Sequence, residues 1–252
     1  MDKYLVETAL IGQGLVSISD QELLAAWSYP KAKLAWLEAG EIKLGTLAEF
    51  LPLRQKTKQL SRIDAASLAA STKSQATGVL TASATMAIGA KLQIPLIVTC
   101  GMGGIGPRPN TTVGSDLIAL KQWPVTLIAA SPKDVFDLPA TFAWLRNNGV
   151  AIIGANSDIC DGFLTRGPAY KLDRTIAKPP ITPRLLILNG LAKRPVTTEN
   201  LLNAMHEGEK TQQRGGYYHP AVNQKLAQTT NGESALAQLT GLLANIALAQ
   251  QL

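Results

Sequence analysis

Residues Pro124-Val125-Thr126-Leu127-Ile128-Ala129-Ala130-Ser131-Pro132-Lys133 decide the reading of the fold. The run 124–130 is apolar throughout, the pattern of a parallel strand buried on both faces. Residues 139–147 read as a helix, so the segment is a strand–loop–helix unit. A lysine just past the carboxyl end of such a strand sits where α/β sheets place their ligands. There a desolvated amine can lose its proton and attack an electrophilic carbon. On this stretch alone, a solvated loop lysine is the competing reading.

The same unit recurs along the chain. Residues 4–6, 94–99, 150–154 and 184–189 read as strands, and residues 33–37 and 42–44 as a hairpin turning at 38–41. Helices are expected at 20–27 behind Ser19 or Asp20, from 46 to 53, at 62–71 capped by Ser61, and at 82–92, 115–121, 197–207 and 234–250. Gly12-Gln13-Gly14 reads as a turn, 178–183 as a Pro-rich connector and 210–216 as a mobile loop. The alternation predicts an α/β fold with a mainly parallel sheet covered on both faces.

Composition narrows the function classes. The 252 residues are 46% hydrophobic and 17% charged, ample for a core. No apolar run reaches the roughly 18 residues of a membrane span, and no basic start followed by an apolar core suggests a signal peptide. Cys100 and Cys160 match no metal spacing, which leads to the expectation of a reducing cytoplasm. The net charge of +6 is spread along the chain without a basic-aromatic cluster, which is modest for a nucleic-acid binder and equally well explained by anionic small molecules.

Several residues are candidates for chemistry. Thr99 is followed by Gly101, Gly103, Gly104 and Gly106, which form either a ligand-approaching loop or a tight strand–helix turn. Glu7 ends the first strand, where a buried carboxyl can serve as a general acid. Ser115 and Asp116 open a helix after Gly114 and read first as caps, without excluding a ligand contact. His206 and His219 lack a partner at ligand spacing, so neither a metal site nor a Ser-His-Asp hydrolase is expected.

Taken in order, these segments resemble the pseudouridine-5′-phosphate glycosidase family, which includes the indigoidine-synthesis A proteins. The likeness is carried by Val6-Glu7-Thr8 through Gly14, Ile42-Lys43-Leu44-Gly45, Leu60-Ser61-Arg62-Ile63-Asp64, Thr85-Met86 and Thr99 to Gly104. It continues through Ser131-Pro132-Lys133 with Asp137-Leu138, Tyr170-Lys171-Leu172, Leu188-Asn189 and Asn231-Gly232-Glu233-Ser234. The resemblance implies one three-layer α/β/α domain over 1–252 and a cytoplasmic homotrimer.

It also implies reversible cleavage of the carbon–carbon bond between ribose 5-phosphate and uracil. Lys133 would form an imine with the sugar, and Glu7 would be the acid and proton shuttle. Thr99, Gly101, Ser115, Asp116, Asn189, Lys58 and Gln59 would contact the substrate, a sugar phosphate or nucleotide. Four family positions depart from the pattern. The Asp that holds the family's manganese is Thr112, two His positions are Gln13 and Gly106, and a substrate-binding Lys is Gln59, with Lys58 adjacent. Weak or absent metal dependence is therefore expected. The second expectation is a catalytically silent or substrate-shifted relative that binds a sugar phosphate or nucleoside.

Overall fold

In a computed structural model of the chain, which describes residues 3–56, 60–106 and 111–252, alternation along the strands sets the layers. The strands are β1 (Tyr4–Val6), β2 (Leu34–Glu38), β3 (Glu41–Gly45), β4 (Ser61–Ile63), β5 (Gly78–Leu80), β6 (Leu96–Val98), β7 (Gly101–Met102), β8 (Thr126–Ala129), β9 (Ser131–Pro132), β10 (Ala151–Gly154), β11 (Ile159–Cys160), β12 (Tyr170–Lys171), β13 (Arg174–Thr175) and β14 (Leu185–Leu188). The helices are α1 (Asp20–Ala26), α2 (Leu47–Arg54), α3 (Leu68–Lys73), α4 (Ala82–Lys91), α5 (Ser115–Gln122), α6 (Leu138–Asn147), α7 (Thr198–Gln213), α8 (Tyr218–Thr229) and α9 (Glu233–Gln251).

The main sheet runs β13-β10-β14-β8-β6-β1-β2-β5-β4, with β3 paired to β2. Pairings from β13 to β2 are parallel, and β2 pairs antiparallel with β3 and β5. Successive residues point to opposite faces. Val6, Val98, Ile128 and Ile187 pack with Leu239, Leu242 and Ile246 of α9. Leu5, Ile97, Leu127 and Leu186 pack with Met86 of α4, Leu117 of α5 and Phe142 of α6. The result is the expected α/β/α sandwich. Parallel pairing points the carboxyl ends of β1, β6, β8 and β14 to one edge.

Local chemistry fixes the helix starts. Ser19 and Glu22 form a reciprocal capping box at α1, and Thr46 and Glu49 form another at α2. Asp137 accepts the Ala140 N–H at 2.9 Å and starts α6. Thr197 caps α7 through the Asn200 N–H. Each cap contributes about 1 kcal/mol.

Three expectations are corrected. Ser61 does not cap a helix over 62–71, because Ser61–Ile63 pairs with β5 as strand β4 and the helix begins only at Leu68. Residues 12–14 are not an open turn but the end of a buried π-helical segment, Leu10–Gly14. Residues 210–216 are not a loop throughout: Lys210 to Gln213 complete α7, and 214–216 turn the chain into α8.

One buried cation organises the segment after β1. Arg54, at the end of α2, donates to the carbonyls of Ile11 at 2.8 Å, Leu15 at 2.7 Å and Ile18 at 2.7 Å, and pairs with Asp20. The Ile11 and Leu15 carbonyls are buried at these bonds and the Ile18 carbonyl part-buried, so losing the guanidinium removes donors that solvent does not readily replace. Arg54→Met removes the donors while keeping the bulk. It is expected to destabilise the fold by about 3 kcal/mol, read as a lower chemical-denaturation midpoint.

Candidate active site

Glu7 follows β1 directly and is buried. Its Oε2 accepts the N–H groups of Ala9 at 3.0 Å and Leu10 at 3.4 Å, and its Oε1 accepts the Thr99 hydroxyl at 3.2 Å. Thr99 follows β6, the neighbour of β1, so adjacent parallel strands deliver the pair. Lys133 follows β9, whose short pairing with β7 brings the glycine loop alongside. The Lys133 N–H donates to the Met102 carbonyl at 3.0 Å. The next residue anchors a second loop: the Asp134 carboxylate accepts the N–H groups of Phe163, Leu164 and Thr165 at 2.7, 2.8 and 2.8 Å.

The glycines are needed for closeness. A Cβ at Gly101 would lie 2.6 Å from Phe163 and 3.0 Å from the Lys133 stem, and one at Gly104 would lie 2.7 Å from Phe136. The loop thus packs against the lysine turn. The Gly103 N–H donates to Asp116 at 2.7 Å.

Glu7, Lys133 and Arg62 line one narrow crevice with Gly101. Lys133 and Arg62 also line a cavity of about 300 Å³ with Asp64, Ser115, Asp116, Phe136, Tyr217 and His219. The lysine and the arginine thus form the wall common to both. Burial, then the Arg62 charge, pull the Lys133 amine below its ordinary value, and Glu7 opposes this. Burial pushes the Glu7 carboxyl up, against the pull of Arg62 and Lys133. The amine is biased toward its nucleophilic form and the carboxyl toward its proton-donating form.

The cavity's carboxylates are already engaged. Asp116 accepts the Ser83 N–H on one oxygen at 2.8 Å and the Gly103 N–H on the other. Asp64 accepts Ser67 on one oxygen and the Ser115 hydroxyl on the other at 2.7 Å. Ser115 and Asp116 therefore do not cap α5. Its N-cap is Gly114, without a side-chain bond, and Asp116 instead ties the glycine loop to α4.

Asn189 does not line the Lys133 cavity. It lines a separate one of about 400 Å³ with Asn156, Cys160, Asp161 and Arg194. Its Nδ2 donates to Asn245 at 3.1 Å, and Asn245 donates to the Thr99 carbonyl at 2.7 Å, so it reaches Glu7 only through α9. Lys58 and Gln59 lie outside the described residues. Thr112 is exposed, and its carbonyl accepts the Gly106 N–H.

Manganese does not fit the groups present. Among the described residues no three His, Cys, Asp or Glu side chains cluster as a metal site, and the cavity's carboxylate oxygens serve backbone N–H and hydroxyl donors. Sequence reasoning assigned no site role to Arg62, Asp64, Phe136, Tyr217, His219 or Asn245. Arg62 and Asp64 were within reach, since both stand in the Ser-Arg-Ile-Asp segment that carries the resemblance.

Comparison with known proteins agrees with this architecture. The chain is 28% identical over 229 residues to a pseudouridine-5′-phosphate glycosidase of Staphylococcus aureus (strain MW2), covering 83% of this chain and 75% of that one. It is 28% identical over 179 residues to one of Myxococcus xanthus (strain DK1622), covering 67% and 58%. A third, from Alkaliphilus metalliredigens (strain QYMF), is 29% identical over 140 residues, and the match spans 46% of its length. The match thus spans from under half to three quarters of these relatives' lengths.

Among solved structures, an indigoidine synthase A-like protein from Thermotoga maritima superposes with a TM-score of 0.82 at 19% identity, covering 98% of this chain and 90% of that one. The prealnumycin C-glycosynthase AlnA, solved with ribulose 5-phosphate, gives 0.74 at 18% identity over 98% and 89%. Both likenesses show the fold. No helix among the described residues is long and apolar enough to cross a membrane. The family profile described as "Indigoidine synthase A like protein" matches residues 32–189, more than half of the chain, and on that match the chain belongs to the indigoidine synthase A-like family.

Proposed function

We propose that the protein is a C-glycosidase of the pseudouridine-5′-phosphate type, with Lys133 as nucleophile and Glu7 as acid and proton shuttle. The observation that carries this reading is the shared crevice in which burial lowers the amine and raises the carboxyl. The curated relatives' names and the sugar phosphate bound by AlnA support the substrate class.

A carbon leaving group cannot depart by protonation of a bridging oxygen, so an attacking nitrogen has to supply the electrons that expel it. The Lys133 amine bonds to the anomeric carbon while the bond to the ring oxygen breaks, and that oxygen takes the Glu7 proton. The attached nitrogen then passes a proton to the Glu7 carboxylate, and its freed lone pair forms a carbon–nitrogen double bond as the carbon–carbon bond breaks. The base carbon gains a proton, and water finally hydrolyses the imine. Arg62 is the guanidinium facing both the crevice and the cavity, and in this reading it pairs with the phosphate. The homotrimer implied by resemblance belongs to the same proposal.

A substrate-shifted reading has one observation in its favour. Asp64 and Asp116 face the cavity beside Arg62 and offset its charge toward a phosphate. Higher kcat/KM for the nucleoside than for its 5′-phosphate would establish that reading.

Two measurements test the lysine chemistry. Ribose 5-phosphate and borohydride should add one reduced sugar phosphate to the intact mass of wild type and none to Lys133→Ala. A gain that survives Lys133→Ala would refute the assignment. The pH dependence of trapping should rise with a midpoint below 10.5, the ordinary lysine value. Arg62 disfavours the ammonium, so Arg62→Gln should move that midpoint up. Glu7 raises the Lys133 value, so Glu7→Gln should move it down. Shifts of the same sign in both variants would contradict the electrostatic account.

A further inference from the structure

We propose that His219 is a catalytic residue that carries protons for imine hydrolysis in the Lys133 cavity, an inference that rests on the lysine reading above. Placement is the first ground. The turn at Gly215 (φ +82°) reverses the chain after α7, and α8 begins at Tyr218. The Tyr217 hydroxyl accepts the Arg62 N–H at 3.0 Å, tying the start of α8 to β4. The His219 ring lies between Phe136, at 5.7 Å between centroids, and Tyr218, at 5.2 Å. Phe136 in turn donates its N–H to the Lys133 carbonyl at 3.0 Å. The imidazole thus faces the cavity that Lys133 faces, clamped by a ring on the lysine's own turn.

Elimination is the second ground. Hydrolysis needs a group that accepts a proton from water and returns it to nitrogen. Asp64 and Asp116 each have both oxygens occupied by protein donors. Glu7 stands in the crevice rather than the cavity. The Tyr217 hydroxyl is engaged by the Arg62 N–H. The imidazole nitrogens of His219 make no hydrogen bond to any described protein group. Burial, together with the Lys133 and Arg62 charges, holds the imidazole well below its ordinary value, hence neutral and able to accept.

The step balances without a further reactant. Water adds to the imine carbon, and one of its protons passes to the imidazole and from there to nitrogen. The carbon–nitrogen bond then breaks with its electron pair going to nitrogen. The hydroxyl oxygen becomes the aldehyde oxygen, its proton leaving through the same ring. Protonated imine and water yield the open-chain sugar and the Lys133 ammonium.

The test follows the imine's lifetime. Wild type, His219→Phe and His219→Gln are loaded with ribose 5-phosphate and freed of sugar by rapid desalting. Timed aliquots are reduced with borohydride and read by intact mass. His219→Phe keeps a ring against Phe136 and Tyr218 and should load normally but lose the trappable sugar about 100-fold more slowly than wild type. His219→Gln should behave likewise and covers the case in which the Phe variant folds poorly. Added imidazole should speed the loss in His219→Ala. Decay at the wild-type rate in either of the first two variants overturns the role of His219. Absence of any trapped sugar in wild type overturns the lysine reading and this inference together, so the two failures are distinct.

Discussion

An amine taken out of water beside a guanidinium gives up its proton more readily, and a carboxyl buried near both holds its own longer. Lys133, Arg62 and Glu7 stand in that relation, and much of the chain serves to keep them there. Each is costly to bury, and among the described residues none of the three is held in a close salt bridge. Glu7 takes N–H groups from the two residues after Thr8 and a hydroxyl from Thr99. The peptide N–H of Arg62 is held by Tyr217, while its guanidinium reaches Gln13 at 3.4 Å. The amine and the carboxyl therefore retain reactivity that a close salt bridge would quench.

Support for this arrangement comes from side chains that do no chemistry. Arg54 pins the π-helical segment that supplies the backbone donors to Glu7. Asp134 gathers three amides of the loop behind Lys133, and Phe163 from that loop closes on Gly101. Asn245 joins Asn189 to Thr99 across the buried face of α9. A row of polar groups thereby crosses the carboxyl ends of β14, β6 and β1. Such a row is stable only when every member is satisfied, which couples the rigidity of the cavity lined by Asn189 to that of Glu7.

The sheet was legible because its signals are local. Residues 96–98, 126–129 and 185–188 are short apolar runs that follow turn residues, and Ser19, Thr46 and Thr197 announce helices with their own side chains. Ser61-Arg62-Ile63 misled because a serine before a polar stretch also reads as a cap, whereas pairing with distant Gly78 to Leu80 made it a strand. Helix α8 escaped notice because Pro220 stands in its first turn and the polar Asn223 and Gln224 interrupt its apolar face. Glu7 and Lys133 were visible from strand-end position and family resemblance. Arg54 and Asn245 had no such signal, since their partners lie 34 to 43 and 56 to 146 residues away in sequence.

The distribution of these residues bears on how the family's chemistry is assembled. The segment matched by the family profile, 32–189, contains Arg62, Thr99, Asp116 and Lys133 but neither Glu7 nor His219. The two groups read here as proton carriers come from opposite flanks, the first strand and a late helix. They reach the crevice and the cavity that share Lys133 and Arg62 because β1 inserts between β6 and β2 in the middle of the sheet, and because α8 closes over the segment behind β1. A Cβ at Gly14 would fall 2.7 Å from the Asn223 amide, which shows how tightly that closure is made. In the proposed reading, the residues for sugar capture thus fall within the matched segment, while those for proton transfer come from its two flanks. On the proposed roles, substitutions at Gly14 or along the inner face of α8 bear on proton transfer as well as on the crevice that Lys133 lines.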